Sequence, residues 1–276
     1  MALFNQQISD VRRFIEEKKK DNAVVREIQC PGSADQLLND LAVSFNPDNQ
    51  PFVVFKEDTF VELGNPLQGS ASMMLWTRQS ETVRDGKITV IGPDIPESRA
   101  RSLPFAQVIM VAGAGLEEKD LVTLERASNL SHRLEGYMIR RTPGKLWSRV
   151  SNAAGIKGLS FKTVGAALMA NYKMQFVHLD AIEVVFLTTS KADVDALARI
   201  SAAAQDKSLS IRRLARSAGA AYECNDLNCG ECPDQEACET IREVIVVRKK
   251  GKVSRIKVVR GRKTEGHASD SAELTG

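Results

Sequence analysis

Cys224, Cys229, Cys232 and Cys238 stand in the spacing C-x4-C-x2-C-x5-C and make up four of the five cysteines in a chain of 276 residues. Thiolates two positions apart reach one metal or neighbouring irons because the turn between them brings both sulfurs to one side, and Gly230 in CGEC eases that turn. Four soft ligands with no histidine nearby fit either a cubane 4Fe-4S cluster or a tetrahedral zinc ion. The Cys232-Pro233 pair and the C-x4-C-x2-C opening familiar from ferredoxins favour the cluster, while the compactness of the run favours zinc. Glu223, Asp226, Glu231 and Asp234 surround the thiolates with negative charge, which lowers a cluster's reduction potential. Cys30, next to Pro31, is remote in sequence and reads as a free thiol.

Directly after Cys238, residues 241–263 carry ten Arg or Lys against the single acid Glu243. Apolar and basic positions alternate around KKGK, the pattern of a β-hairpin. Basic side chains on such a hairpin protect an edge from aggregation or offer a docking face to an acidic or redox partner or a phosphate-bearing ligand. The absence of interleaved aromatics argues against nucleic acid. Residues 264–276 are small, polar and without period, the composition of a disordered tail.

Composition sets the compartment in which these cysteines work. With 43% hydrophobic and 26% charged residues the chain can bury a core without disulfide staples. No apolar run is long enough to span a bilayer, and the N-terminus lacks the zones of a signal peptide. The expectation is a cytoplasmic protein away from the membrane, in which clustered thiols are reduced and hold metal.

The elements that must position this chemistry are legible as changes of period. Residues 5–20 read as a helix burying Ile8, Val11, Phe14 and Ile15, and Ser33 is the expected cap of a second, short helix. PFVVFKEDTFVELG, SASMMLWTRQ, GKITVIGPD, FAQVIMVAGAG, LWSRVS and IEVVFLTT are strand-like. EEKDLVTLERASNLSHRLEGY reads as a long helix with Leu121, Leu124, Leu130 and Leu134 at helical spacing, and SFKTVGAALMANYKMQF and ADVDALARISAAAQ as further helices. The expectation is an α+β (mixed α/β) body over 51–205, a helical segment over 1–50, a metal segment with the basic hairpin over 206–263, and the tail. VAGAG lacks the third glycine of a dinucleotide loop. His132 and His178 sit in periodic segments as structural or surface residues, and the methionines of ALMANYKM read as core.

Three segments within this body, ITVIGPDI, LERASNLSHRLEGYMIRRTPGKLWSRVS and GLSFKTVGAALMANYKMQF, resemble in order and spacing the middle domain of the acetyl-CoA synthase subunit of carbon monoxide dehydrogenase/acetyl-CoA synthase complexes. FVELGNPLQGSASMMLWT resembles the strand pair leading into that domain, so the resemblance covers about residues 55–200. It implies anaerobic one-carbon or acyl-CoA metabolism, an arginine-rich surface that binds coenzyme A or acetyl-CoA beside a tryptophan, and a carbon monoxide dehydrogenase-type partner. Carried over by position, that surface is Arg133, Arg140, Arg141 and Arg149, with Lys145 as a further member. Arginine suits the task because its planar fork grips phosphate oxygens in pairs. At the family's tryptophan position this chain has Met138, next to Tyr137. The family's nickel site needs a Cys-x-Cys whose thiolates and amide nitrogens hold a square-planar metal, and no such element occurs here. The resemblance therefore implies an accessory or electron-transferring iron–sulfur protein. The alternative is a non-enzymatic module, holding coenzyme A or a partner subunit and carrying structural zinc.

Overall fold

The computed structural model describes residues 4–46, 53–128, 130 and 133–217. The four clustered cysteines, the basic hairpin, the C-terminal tail and His132 lie outside the described residues. The elements, in chain order, are α1 (Asn5–Lys20), β1 (Val25–Gln29), α2 (Ala34–Asn39), β2 (Thr59–Leu63), β3 (Ser70–Thr77), β4 (Lys87–Ile91), β5 (Ser102–Leu103), β6 (Phe105–Ala112), α3 (Leu121–Ala127), β7 (Tyr137–Thr142), β8 (Lys145–Ser151), α4 (Asn152–Ile156), α5 (Phe161–Gln175), β9 (Ala181–Leu187) and α6 (Lys191–Ser217).

Among the described residues the strands form two mixed sheets, giving a mixed α/β fold. The larger has the order β1-β4-β9-β6-β3 and the smaller β5-β2-β8-β7. Every residue of β6 and β9 is buried, as expected of strands at the centre of a sheet covered on both faces. Alternation along the strands assigns the cover. Arg12 of α1 reaches Glu183 of β9, whereas Gly165 of α5 packs on Ile88 of β4, whose neighbour in register is Val184. Successive side chains point to opposite faces, so α1 and α5 lie on opposite sides of the sheet. α6 shares the side of α1, and Lys18 is 2.8 Å from Asp193 across the two helices. Under α5, Phe161 stacks on Phe105 and Phe186 with ring centroids 5.5 and 4.8 Å away.

Residues 4–46, within the segment expected to be separate and helical, share this core. Ile8, Val11, Phe14 and Ile15 of α1 are all buried in it, and β1 pairs antiparallel with β4 from Val25–Ile91 to Gln29–Lys87. Ser33 caps α2 in a reciprocal capping box with Gln36. α6 likewise runs through position 205 without a break.

The long helix expected over 117–137 is corrected to the seven residues of α3. All four leucines of its apparent stripe are buried, but not by one helix face. Leu134 bridges antiparallel to Phe45, and the Glu135 amide donates to the Ser44 carbonyl at 2.9 Å. These backbone groups are thus committed to a neighbouring strand-like segment. Gly136, at φ +72°, then turns the chain into β7.

Candidate functional site

The β7–β8 hairpin positions the expected arginines. It closes on Pro143-Gly144, with Thr142 facing Lys145 in register. Gly144 adopts φ +73°, and a Cβ there would lie 2.1 Å from Gln205 Nε2 of α6. This turn accepts glycine for both reasons.

Register then separates the arginines. Arg140 faces Trp147 and Met138 faces Arg149, so Arg140, Trp147, Arg149 and Lys145 share one face of the smaller sheet. Across β8, Glu62 of β2 faces Arg149. Arg140 and Lys145 are exposed, Trp147 and Arg149 half-buried. The Arg149 guanidinium lies 4.6 Å from the Trp147 ring centroid, a cation–π geometry. Its Nε and Nη2 both donate to Glu62 Oε1 at 3.3 Å, and Nη1 donates to the Val54 carbonyl at 3.4 Å. Trp147 Nε1 donates to the same Glu62 oxygen at 2.9 Å, and Asn65 Nδ2 to the other at 2.8 Å. Burial pushes the Glu62 carboxyl up, but the hydrogen bonds from Asn65, Trp147 and Arg149 outweigh it and hold the group below the usual carboxylate range. Glu62 thereby fixes both the indole and the guanidinium on the outer face.

Arg141 points the other way. It lines a cavity of about 460 Å3 between β3, the hairpin turn, the end of α3 and α6. Its Nη1 donates to Ser128 Oγ at 2.8 Å and its Nη2 to Gln107 Oε1 of β6, while its Nε–H is buried without a partner among the described residues. Burial pushes its pKa down, with Tyr172 and Tyr137 acting in the opposite direction. Arg133, before β7, donates through Nη1 to Asn171 Oδ1 of α5 at 2.7 Å, and Asn171 Nδ2 donates to the Ala127 carbonyl at 2.7 Å. That contact ties the segment before β7 to α5 and the end of α3. The four arginines expected to act together are therefore placed in three environments, with only Arg140 and Arg149 on one face.

The aromatic neighbour of those two is Trp147, at a position the sequence reading did not assign to the ligand surface. Met138 shares this face by register, opposite Arg149, but is buried, 3% exposed. The signal was available in KLWSRVS: strand alternation puts Lys145, Trp147 and Arg149 on one side.

Cys224, Cys229, Cys232 and Cys238 lie outside the described residues. Among the described residues no three His, Cys, Asp or Glu side chains gather as a metal site. Cys30 is buried, and burial pushes its thiol up. His178 is exposed in the loop before β9. No helix of the described residues is long and apolar enough to cross a membrane.

Residues 41–194 match the family described as CO dehydrogenase/acetyl-CoA synthase complex beta subunit. The chain is similar to the acetyl-CoA decarbonylase/synthase complex subunit beta of Methanothermobacter thermautotrophicus, 29% identical over 158 residues, which cover 56% of this chain and 34% of the relative. With the Methanopyrus kandleri subunit beta it is 33% identical over 154 residues, 55% of this chain and 33% of the relative. With subunit beta 1 of Methanocaldococcus jannaschii it is 26% identical over 190 residues, 68% and 25%. The matched stretch spans about a third or less of the length of these relatives. It contains the β7–β8 hairpin, Glu62, and all of α5.

Proposed function

The chain belongs to the family of the CO dehydrogenase/acetyl-CoA synthase complex beta subunit, and from that premise we propose that it is a coenzyme A-binding iron–sulfur protein working with other subunits of such a complex. The relatives are named for an acetyl-CoA decarbonylase/synthase complex, which supports coenzyme A or acetyl-CoA as the ligand and complex subunits as partners, with a redox protein as a further partner in this reading. One observation carries the reading: Trp147 shares one sheet face with Arg140 opposite it, Arg149 against its ring and Lys145 at the end. An indole offers adenine a stacking surface, and the cations beside it attract the 3′-phosphate and pyrophosphate. Trp147 takes the part that an aromatic residue at position 138 would otherwise play.

The metal segment over 206–263 supplies the second half of the proposal. Cys224, Cys229, Cys232 and Cys238 are a full set of soft ligands and would hold a 4Fe-4S cluster, giving the protein a one-electron redox site. The adjacent basic hairpin suits an acidic docking partner. A chain without Cys-x-Cys has no pair of thiolates flanking two amide nitrogens for a square-planar nickel, so the role assigned is accessory, in ligand handling and electron transfer. Structural zinc is the alternative that four thiolates within fifteen residues also satisfy.

Calorimetry of the full chain with coenzyme A tests the ligand half. Arg140→Ala is expected to weaken binding by about 1.5 to 3 kcal/mol, as for hydrogen bonds to charged groups, and added salt to weaken it in the wild type. Unchanged affinity in a folded Arg140→Ala variant would refute the surface.

A further inference from the structure

The strand alternation that sets Arg140 on the outer face turns Arg141 into the cavity beneath it. A volume of about 460 Å3 is in the range of sites for small ligands. Two observations indicate what it lacks. Arg141 makes no ion pair with a carboxylate among the described residues. In addition, Arg141 Nε is buried without a protein partner among the described residues. This N–H is a donor, so the missing group is an acceptor. A guanidinium retains its charge at any physiological pH, and burying it without a counter-charge is costly.

We propose that this cavity binds a short-chain carboxylate, with its carboxylate on the Arg141 guanidinium and its hydrocarbon tail against Met74, which lies on the same face of β3 as Ser72, the register partner of Gln107. Among the described residues the lining has one cation, Arg141, and one acid, Glu125, exposed at its edge. That balance suits a monoanion and disfavours phosphate, which carries more charge. Planar carboxylates also match the guanidinium edge that Nε forms with Nη2. The Met74 side chain adapts to a flexible apolar tail, and the small side chain of Ala204 in the lining leaves room for it. The site is separate from the coenzyme A surface, because Arg140 and Arg141 leave β7 on opposite faces.

Thermal melting of the full chain, titrated with hexanoate, hexanamide and inorganic phosphate at constant ionic strength, tests the site. Hexanoate is expected to raise the melting temperature saturably, while hexanamide and phosphate leave it unchanged. Arg141→Met should weaken the hexanoate response at least about tenfold. Ala204→Leu, which narrows the cavity and leaves the cation in place, should abolish the response, and decides the matter alone if Arg141→Met fails to fold. Arg140→Ala should leave it intact, so failure here is distinguishable from failure of the coenzyme A surface. No hexanoate response in the folded wild type, an equal response to phosphate, or a response that survives Ala204→Leu would overturn the proposal.

Discussion

Replacing Glu62 by Gln separates the two tasks of this residue, holding the outer face together and restraining its charge. Oε1 accepts from Trp147 Nε1, Arg149 Nε and Arg149 Nη2, and Oε2 accepts from Asn65 Nδ2. A glutamine that keeps its carbonyl towards Trp147 turns its own NH2 against the Asn65 NH2. Rotating the Asn65 amide does not relieve this without loss, because Asn65 Oδ1 already accepts from the Leu67 amide at 3.0 Å. One hydrogen bond of about 1 kcal/mol is lost, together with an ion pair of about 0.2 to 1 kcal/mol. The expected destabilisation is about 1 to 2 kcal/mol at pH 7, read from urea unfolding. The folded-state pKa of Glu62 lies below its unfolded value, so its contribution is fully present above the ordinary carboxylate range and is lost as pH falls through the folded pKa. The gap between wild type and variant should therefore close in acid. Coenzyme A should bind the variant about two- to fivefold more tightly, since neutralising a charge beside Arg149 is worth up to about 1 kcal/mol, and with a steeper salt dependence. A stability gap that widens in acid, or weaker binding by the folded variant, would refute the roles given to Glu62.

Arg12→Met leaves Glu183 fully buried in the central sheet with, among the described residues, the Arg84 amide as its remaining partner, at 3.1 Å; the expected loss is about 3 to 5 kcal/mol in chemical denaturation. Gly64→Ala meets φ +73° and the Leu146 carbonyl oxygen 2.3 Å from the new Cβ, so a loss of about 2 kcal/mol or more is expected in the same assay. Protein purified without oxygen should carry about four irons and matching acid-labile sulfide per chain, and Cys229→Ala or Cys232→Ala should lose them; one zinc and no iron would exchange the cluster for the structural metal.

Local signals in the sequence carried much of the fold. The apolar face of α1, the Ser33 cap of α2 and the bounds of α5 follow from periodicity and capping chemistry within each segment. Other features depend on residues far apart in the chain. The leucines from 121 to 134 keep helical spacing, yet Leu134 is buried by its bridge to Phe45, and no local pattern distinguishes that from a helix. β1, VREIQ, is a five-residue edge strand with charges at two positions and gave no contrast with a loop. Glu183 and Gln107 sit inside apolar strands because Arg12 and Arg141 reach them from 171 and 34 residues away. The candidate surface was legible in residue type but not in grouping. Four arginines close in sequence suggested one patch, and only the register of β7 on β8 shows Arg140 joining Trp147 and Arg149 while Arg141 turns inward.

Fluorescence provides the most direct test of the coenzyme A surface, because the chain has two tryptophans and Trp76 is fully buried. Titrating the full chain with coenzyme A should quench the Trp147 emission saturably as adenine stacks on the indole, and desphospho-coenzyme A, lacking the 3′-phosphate, should need a higher concentration for the same effect. In Trp147→Phe the remaining Trp76 signal should stay constant. An unchanged spectrum at millimolar coenzyme A, or equal quenching in Trp147→Phe, would contradict a ligand surface built on Arg140, Trp147 and Arg149.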